Sequence, residues 1–215
     1  DESSNIVTLG FAPELDMYGS HPSKGAGLSA YYCDNVFEEC DEPGEWYLDK
    51  PSGNLFYIPR AGETKENSEV IAPKGFKFFN FSGNGSTNDF LWNISLEKIA
   101  FMHNNSKVDR DPQNSSENEE YAIGGDYTRA FTVKSCYFAH MNEGAIRLGK
   151  GNMGAEITTS YFRDLGSAGI YLSGSTDNES TRCAYNNFHD NDFFGYGLHY
   201  VTEPAIRVGK CAELM

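Results

Sequence analysis

Three stretches of the chain share one alternation of apolar and polar positions: Phe131-Thr-Val-Lys-Ser-Cys-Tyr-Phe138, Glu156-Ile-Thr-Thr-Ser-Tyr-Phe162 and Thr181-Arg-Cys-Ala-Tyr-Asn-Asn-Phe188. Each ends in an aromatic residue and runs into a polar turn. A second short apolar strand follows the first two directly, as Ala145-Ile-Arg-Leu-Gly149 and Gly169-Ile-Tyr-Leu-Ser173. The third reaches its equivalent, Ala205-Ile-Arg-Val-Gly209, only after a longer loop. Alternation of this kind predicts half-buried strands, and none of these segments has the period of a helix. Phe138 and Phe162 lie 24 residues apart, and Phe162 and Phe188 lie 26 apart.

A repeat of that length made of short strands predicts a solenoid. The fold class is therefore all-β, and the unit is one coil of a right-handed single-stranded parallel β-helix. Residues at the same place in successive coils then lie about 4.8 Å apart, so the core becomes a set of columns. Phe101, Phe138, Phe162 and Phe188 are expected in one inward column, and Ile146, Ile170 and Ile206 in another. Two residues past each aromatic come His103, His140, Asp164 and Asp190, an outward polar column at a turn. Phe101 and Phe138 are 37 residues apart, so that coil must carry a long loop. A polar stretch at about 104–125 supplies it. Residues 1–68 read as an N-terminal loop and β-hairpin region, and residues 69–215 as the coils.

Charge narrows the partners. A formal net charge of −14 argues against nucleic acid and anionic membrane surfaces, both of which repel an acidic protein. No apolar run approaches the roughly 20 residues needed to span a bilayer. The chain opens at Asp1 rather than Met, which reads as a processed start. Six Asn-x-Ser/Thr sequons, at Asn80, Asn84, Asn93, Asn104, Asn114 and Asn178, point to a secreted, extracellular protein carrying N-linked glycans. The five cysteines leave at least one thiol free, buried or bonded to another chain. Cys33 and Cys40 are close enough for a local disulfide around a turn. Cys136 and Cys183 fall on predicted strands, where a buried cysteine acts as a small apolar filler. No Cys/His cluster suggests a metal site. Asp109, Asp111, Glu117, Glu119, Glu120 and Asp126 make the long loop acidic. Calcium is a weak expectation there, because the spacing matches no defined calcium loop; no other cofactor is implied.

Upstream of the coils, Glu45-Trp-Tyr-Leu-Asp-Lys-Pro-Ser-Gly-Asn-Leu-Phe-Tyr-Ile-Pro59 places two β-prone runs around Pro-Ser-Gly-Asn, a hairpin signal. The order Gly44-Glu-Trp-Tyr-Leu-Asp49, Gly53-x-Leu-x-Tyr-x-Pro59 and Val70-Ile-Ala-Pro73, then coils ending Cys136-x-Phe-x-His140 or Asn186-x-Phe-x-Asp190, resembles the pectate-lyase-like superfamily of right-handed parallel β-helix proteins. Within it the chain is most similar to large secreted glycoside hydrolases and their uncharacterised relatives. The resemblance covers roughly residues 35–215 and implies the fold and carbohydrate processing. No family catalytic motif maps onto these residues one by one.

Glycoside hydrolysis needs two carboxyl groups flanking the scissile bond, about 5 to 9 Å apart. Carboxylates one or two coils apart meet that requirement. Asp164 and Asp190 occupy equivalent predicted turns, Glu143 sits in the turn of the preceding coil, and His140 heads the same column. These four are the catalytic candidates. Arg147, Tyr171 and Arg207 follow the isoleucine column and are candidates for a sugar-binding face. Two readings follow. One is hydrolysis of a neutral glycan by turn carboxylates. The other is a non-catalytic structural glycoprotein whose coils associate end to end into a filament or matrix, since a strand at the end of a solenoid offers unpaired backbone groups.

Overall fold

The computed structural model describes residues 35–106, 121–174, 181–200 and 203–209. Contacts divide the chain into two units, Asp1–Val70 and Ile71–Met215. Among the described residues, regular structure is strand apart from one turn of 3-10 helix, Phe37–Glu39.

In the first unit, β1 (Trp46–Asp49) and β2 (Asn54–Tyr57) form an antiparallel hairpin with Trp46 opposite Tyr57 and Leu48 opposite Leu55. The turn signal acts as expected. Gly53 takes a positive φ of 72°, its N–H donates to the Asp49 carbonyl at 2.7 Å, and Ser52 donates to the Asp49 carboxylate. Phe37, Tyr47 and Phe56 pack edge to face, with centroids 5.1 and 5.6 Å from Phe37. Cys40 is a free thiol, so the expected bridge to Cys33 is absent; Cys33 itself lies outside the described residues.

The second unit is built on three sheets of parallel strands. Sheet I contains β6 (Ala100–Met102), β10 (Tyr137–Met141), β13 (Tyr161–Leu165) and β16 (Asp192–Phe194). Sheet II contains β3 (Phe79–Ser82), β7 (Tyr121–Asp126), β11 (Gly144–Leu148), β14 (Ile170–Leu172) and β17 (Ile206–Val208). Sheet III contains β5 (Ser95–Glu97), β9 (Thr132–Lys134), β12 (Glu156–Thr158) and β15 (Asn187–His189). The chain visits them cyclically, III then I then II, and each strand pairs with its counterpart from the circuit before. A smaller ladder joins β4 (Leu91–Trp92) to β8 (Thr128–Arg129).

Three corners per circuit carry residues in the left-handed region. Asn93, Ala130, Gly154 and Tyr185 precede sheet III; Lys98, Ser135, Thr159 and Asp190 join sheet III to sheet I; His103, His140, Asp164 and Gly195 follow sheet I. Most of these are not glycine, and each such residue costs of order 1 kcal/mol. The same φ at the same place in every circuit shows that the corner geometry imposes the conformation.

The interior is columnar. Phe101, Phe138, Phe162 and Phe193 are register partners on sheet I, with successive centroids 5.1, 5.0 and 4.5 Å apart and near-parallel planes. Ile123, Ile146, Ile170 and Ile206 form the column on sheet II, and Leu96, Val133, Ile157 and Phe188 that on sheet III. The expected phenylalanine column is thus corrected at its last member. Phe188 belongs to sheet III, five residues before Phe193, as Val133 stands before Phe138 and Ile157 before Phe162. Polar side chains cap the corners: buried Asn152 donates to the Gly125 and Gly149 carbonyls at 3.0 and 2.7 Å and accepts from Thr128. Cys136 and Cys183 are buried and free, the filler role expected of them.

The same shift of phase moves Asp190. It does not stack on Asp164; it occupies the corner between sheets III and I. There its carboxylate meets His189 Nδ1 at 2.9 Å, while His189 Nε2 meets Glu156 at 3.3 Å. These hydrogen bonds, the one to Asp190 first, hold the His189 pKa above its ordinary 6.5.

Two outcomes follow. Phe138→Ala removes the middle of the ring column and should cost about 3–5 kcal/mol in urea unfolding, whereas Phe194→Ala, at an exposed position, should cost far less. Because His189 binds its proton more tightly in the folded chain, its stabilising contribution is complete below its unfolded pKa, about 6.5, and fades as pH rises through the folded value. The stability lost in His189→Ala should therefore be larger near pH 5 than near pH 9; an equal loss at both would refute the coupling.

Candidate functional site

The outward side of sheet II brings together residues from successive circuits. Arg147 on β11, Tyr171 on β14 and Arg207 on β17 are direct register partners, so the three predicted sugar-face residues do form one row. Each follows the isoleucine of its column, and alternation turns it to the other side of the sheet, where Tyr171 is nevertheless only 4% exposed. The Arg207 guanidinium lies 5.1 Å from the centroid of the Tyr171 ring, and Tyr121 stacks on Tyr171 at 5.9 Å. Gly144 makes room for Tyr121: a Cβ there would sit 2.1 Å from the Tyr121 ring.

Both arginines are charge-balanced. Arg147 meets Asp126 at 3.4 Å, with both side chains about a quarter to a third exposed, and Arg207 pairs with Glu203. Two glutamates stand at the entrance to this row. Glu143 is fully buried and Glu203 is 6% exposed. Each lies three residues before its column isoleucine, Ile146 or Ile206, and Ser167 holds the same place before Ile170. The Ser167 N–H donates to the Glu143 carbonyl at 3.4 Å, and Gly169 and Ile170 donate to the Ala205 carbonyl at 2.9 and 3.1 Å. These bonds put the two glutamates on either side of Ser167, two circuits apart.

Residues 195–200 cover this corner. Gly197 donates to the Ser167 carbonyl, Tyr200 to the Gly166 carbonyl, and the Glu203 N–H to the Tyr200 carbonyl at 3.1, 2.9 and 2.8 Å. His199 Nδ1 donates to the Asn142 carbonyl at 3.1 Å. Residues 197–200 thus pack over the Gly166–Ser167 corner.

The other predicted catalytic residues fall elsewhere. His140 and Asp164 are neighbours at the corner after sheet I, with Nδ1 and Oδ2 3.3 Å apart and both side chains nearly half exposed; His103 stacks on His140 at 5.2 Å. Asp190, on another corner, is not part of that column; its place there is taken by Gly195. Glu203 was missed. Its signal is in the sequence, because Glu143-Gly-Ala-Ile-Arg147 and Glu203-Pro-Ala-Ile-Arg207 repeat one another.

Of the sequons, Asn80, Asn84 and Asn93 are exposed. Asn93 lies at a left-handed corner. Asn104 is a correction: it is 1% exposed, its amide donates to the Phe76 carbonyl at 3.2 Å and its oxygen accepts from Asn142 N–H at 2.9 Å. A glycan has no room there. Asn114, Asn178 and the acidic loop proposed for calcium, apart from Asp126, lie outside the described residues.

No family model matches the chain, and no curated protein matches it. A solved structure titled "Glycoside hydrolase" resembles it with a TM-score of 0.65 and 19% identity, over 77% of this chain and 35% of that one. The chain thus spans about a third of that protein's length. At this identity the likeness is one of fold, an all-β arrangement of mostly parallel sheets that a glycoside hydrolase also uses.

Proposed function

We propose that the chain is the sugar-cleaving part of a secreted glycoside hydrolase, built on a right-handed parallel β-helix of the pectate-lyase-like superfamily. The cyclic order of the three parallel sheets and the likeness to a glycoside hydrolase structure support the scaffold. The observation that carries the activity is the repeated Glu-x-Ala-Ile-Arg, which sets two buried glutamates at equivalent places around the row of Arg147, Tyr171 and Arg207.

In this reading Glu143 and Glu203 replace the pair Asp164 and Asp190, which the register separates. Two strand spacings amount to roughly 9–10 Å between backbones. That is near the upper end of the roughly 6.5–9.5 Å found between the carboxyls of inverting enzymes. Glu143 takes the part of general acid. Glu203, held by Arg207, is the base that activates water. Tyr171 and Tyr121, 4% and 1% exposed, stack on each other beneath the row and support Arg147 and Arg207, which give the hydrogen bonds to sugar hydroxyls. Because Asp126 and Glu203 balance those arginines, the site suits an uncharged glycan. The exposed sequons at Asn80, Asn84 and Asn93 support glycosylation and export.

Glu143→Gln and Glu203→Gln should each lower kcat on neutral oligosaccharides by about 10²–10⁴-fold with the fold intact, while Asp190→Asn stays close to wild type. The product anomer, followed by NMR, should be inverted. Full turnover by a folded Glu143→Gln variant would remove the mechanism.

A further inference from the structure

The outward face of sheet I is separate from the row just described and carries a different surface. Tyr137, Tyr161 and Asp192 are register partners, as are Ala139, Arg163 and Phe194. Tyr137 is 37%, Tyr161 50% and Phe194 64% exposed. The phenylalanines on the inner side of the same strands stack ring on ring at 5.0 Å, whereas among the described residues neither tyrosine side chain has a ring contact or hydrogen bond, and only their backbone N–H groups donate, to Ile99 and Cys136. Arg163 bridges the two rows, 5.4 Å from the Phe194 ring centroid and 3.5 Å from Asp192.

We propose that this face is a second glycan-binding platform that holds a neutral, extended polysaccharide without cleaving it. An aromatic ring with a hydroxyl suits a ligand that has both C–H faces and hydroxyl groups. The two tyrosines repeat at one strand spacing, about 4.8 Å, close to the length of one pyranose unit in an extended chain. Arg163 and Asp192 offer donors and acceptors with no net charge, and a chain of net charge −14 disfavours an anionic ligand. The face holds neither of the two buried glutamates, so binding here does not depend on the catalytic assignment.

The test is affinity electrophoresis of the full chain in gels containing a β-1,3-glucan, a β-1,4-glucan or a mannan. The wild type should be retarded by at least one of them. The Tyr137→Ala/Tyr161→Ala double variant should bind roughly tenfold more weakly, and Tyr137→Phe/Tyr161→Phe, which keeps the rings, should retain most of the binding. Glu143→Gln should bind like wild type, which separates this platform from the cleavage site. Equal retardation of wild type and the alanine variant, or none of the wild type, would overturn the proposal. So would light scattering that shows tyrosine-dependent self-association without glycan, since the face would then be an interface between copies.

Discussion

Backbone pairing between successive circuits holds each paired residue of the second unit beside a counterpart 23 to 44 positions away in the sequence. Neighbours across a parallel ladder sit at a fixed, short distance, so the chemistry of one column is decided by what stands at one place in every circuit. Inside, that constraint favours like on like. Flat rings stack on flat rings on sheet I, and branched aliphatics stack on sheet II. Outside, it brings an arginine, a tyrosine and another arginine into one row. The corner residues, at their cost in backbone strain, are what keep the pairing in phase.

The same constraint explains how much could be read from the sequence. The strands, the parallel stacking, the isoleucine column and the row of Arg147, Tyr171 and Arg207 follow from alternation and spacing alone. The phenylalanine column failed at its last member because the sheet III position of that circuit is itself an aromatic. Phe188 stood where Val133 and Ile157 stand, and it imitated the residue five places further on. One misplaced ring then carried Asp190 into the wrong corner. A sequence shows periodicity but not which of two similar residues starts the count; only the pairing with Ile157 decides that. Glu203 was hidden for a different reason: the longer loop before it interrupts the repeat, although the local Glu-x-Ala-Ile-Arg is intact. Asn104 shows the limit of motifs read without burial, since its sequon is formally complete while its amide serves the corner.

The row on sheet II and the aromatic face of sheet I use one scaffold in different ways. On sheet II, acids are withdrawn from water and arginines are balanced by carboxylates. Groups so placed are costly to bury. On sheet I, aromatic surface is left open instead of being covered. Both patterns sit over the same kind of core, so function is carried by what the outward positions hold, and not by the fold as such.

The short link between sheets III and I has the same length in all four circuits, from Leu96 to Phe101, Val133 to Phe138, Ile157 to Phe162 and Phe188 to Phe193. All variation in circuit length therefore falls on the stretches before and after sheet II. An extra residue in the constant link would turn every following side chain of its strand to the opposite face, whereas an extra loop beside sheet II leaves all columns intact. Insertion is thus tolerated along the margins of one sheet and forbidden along the seam of the other two. Loop length is free to vary on either side of sheet II, where Glu143 and Glu203 stand, while the seam between sheets III and I is held to a single length.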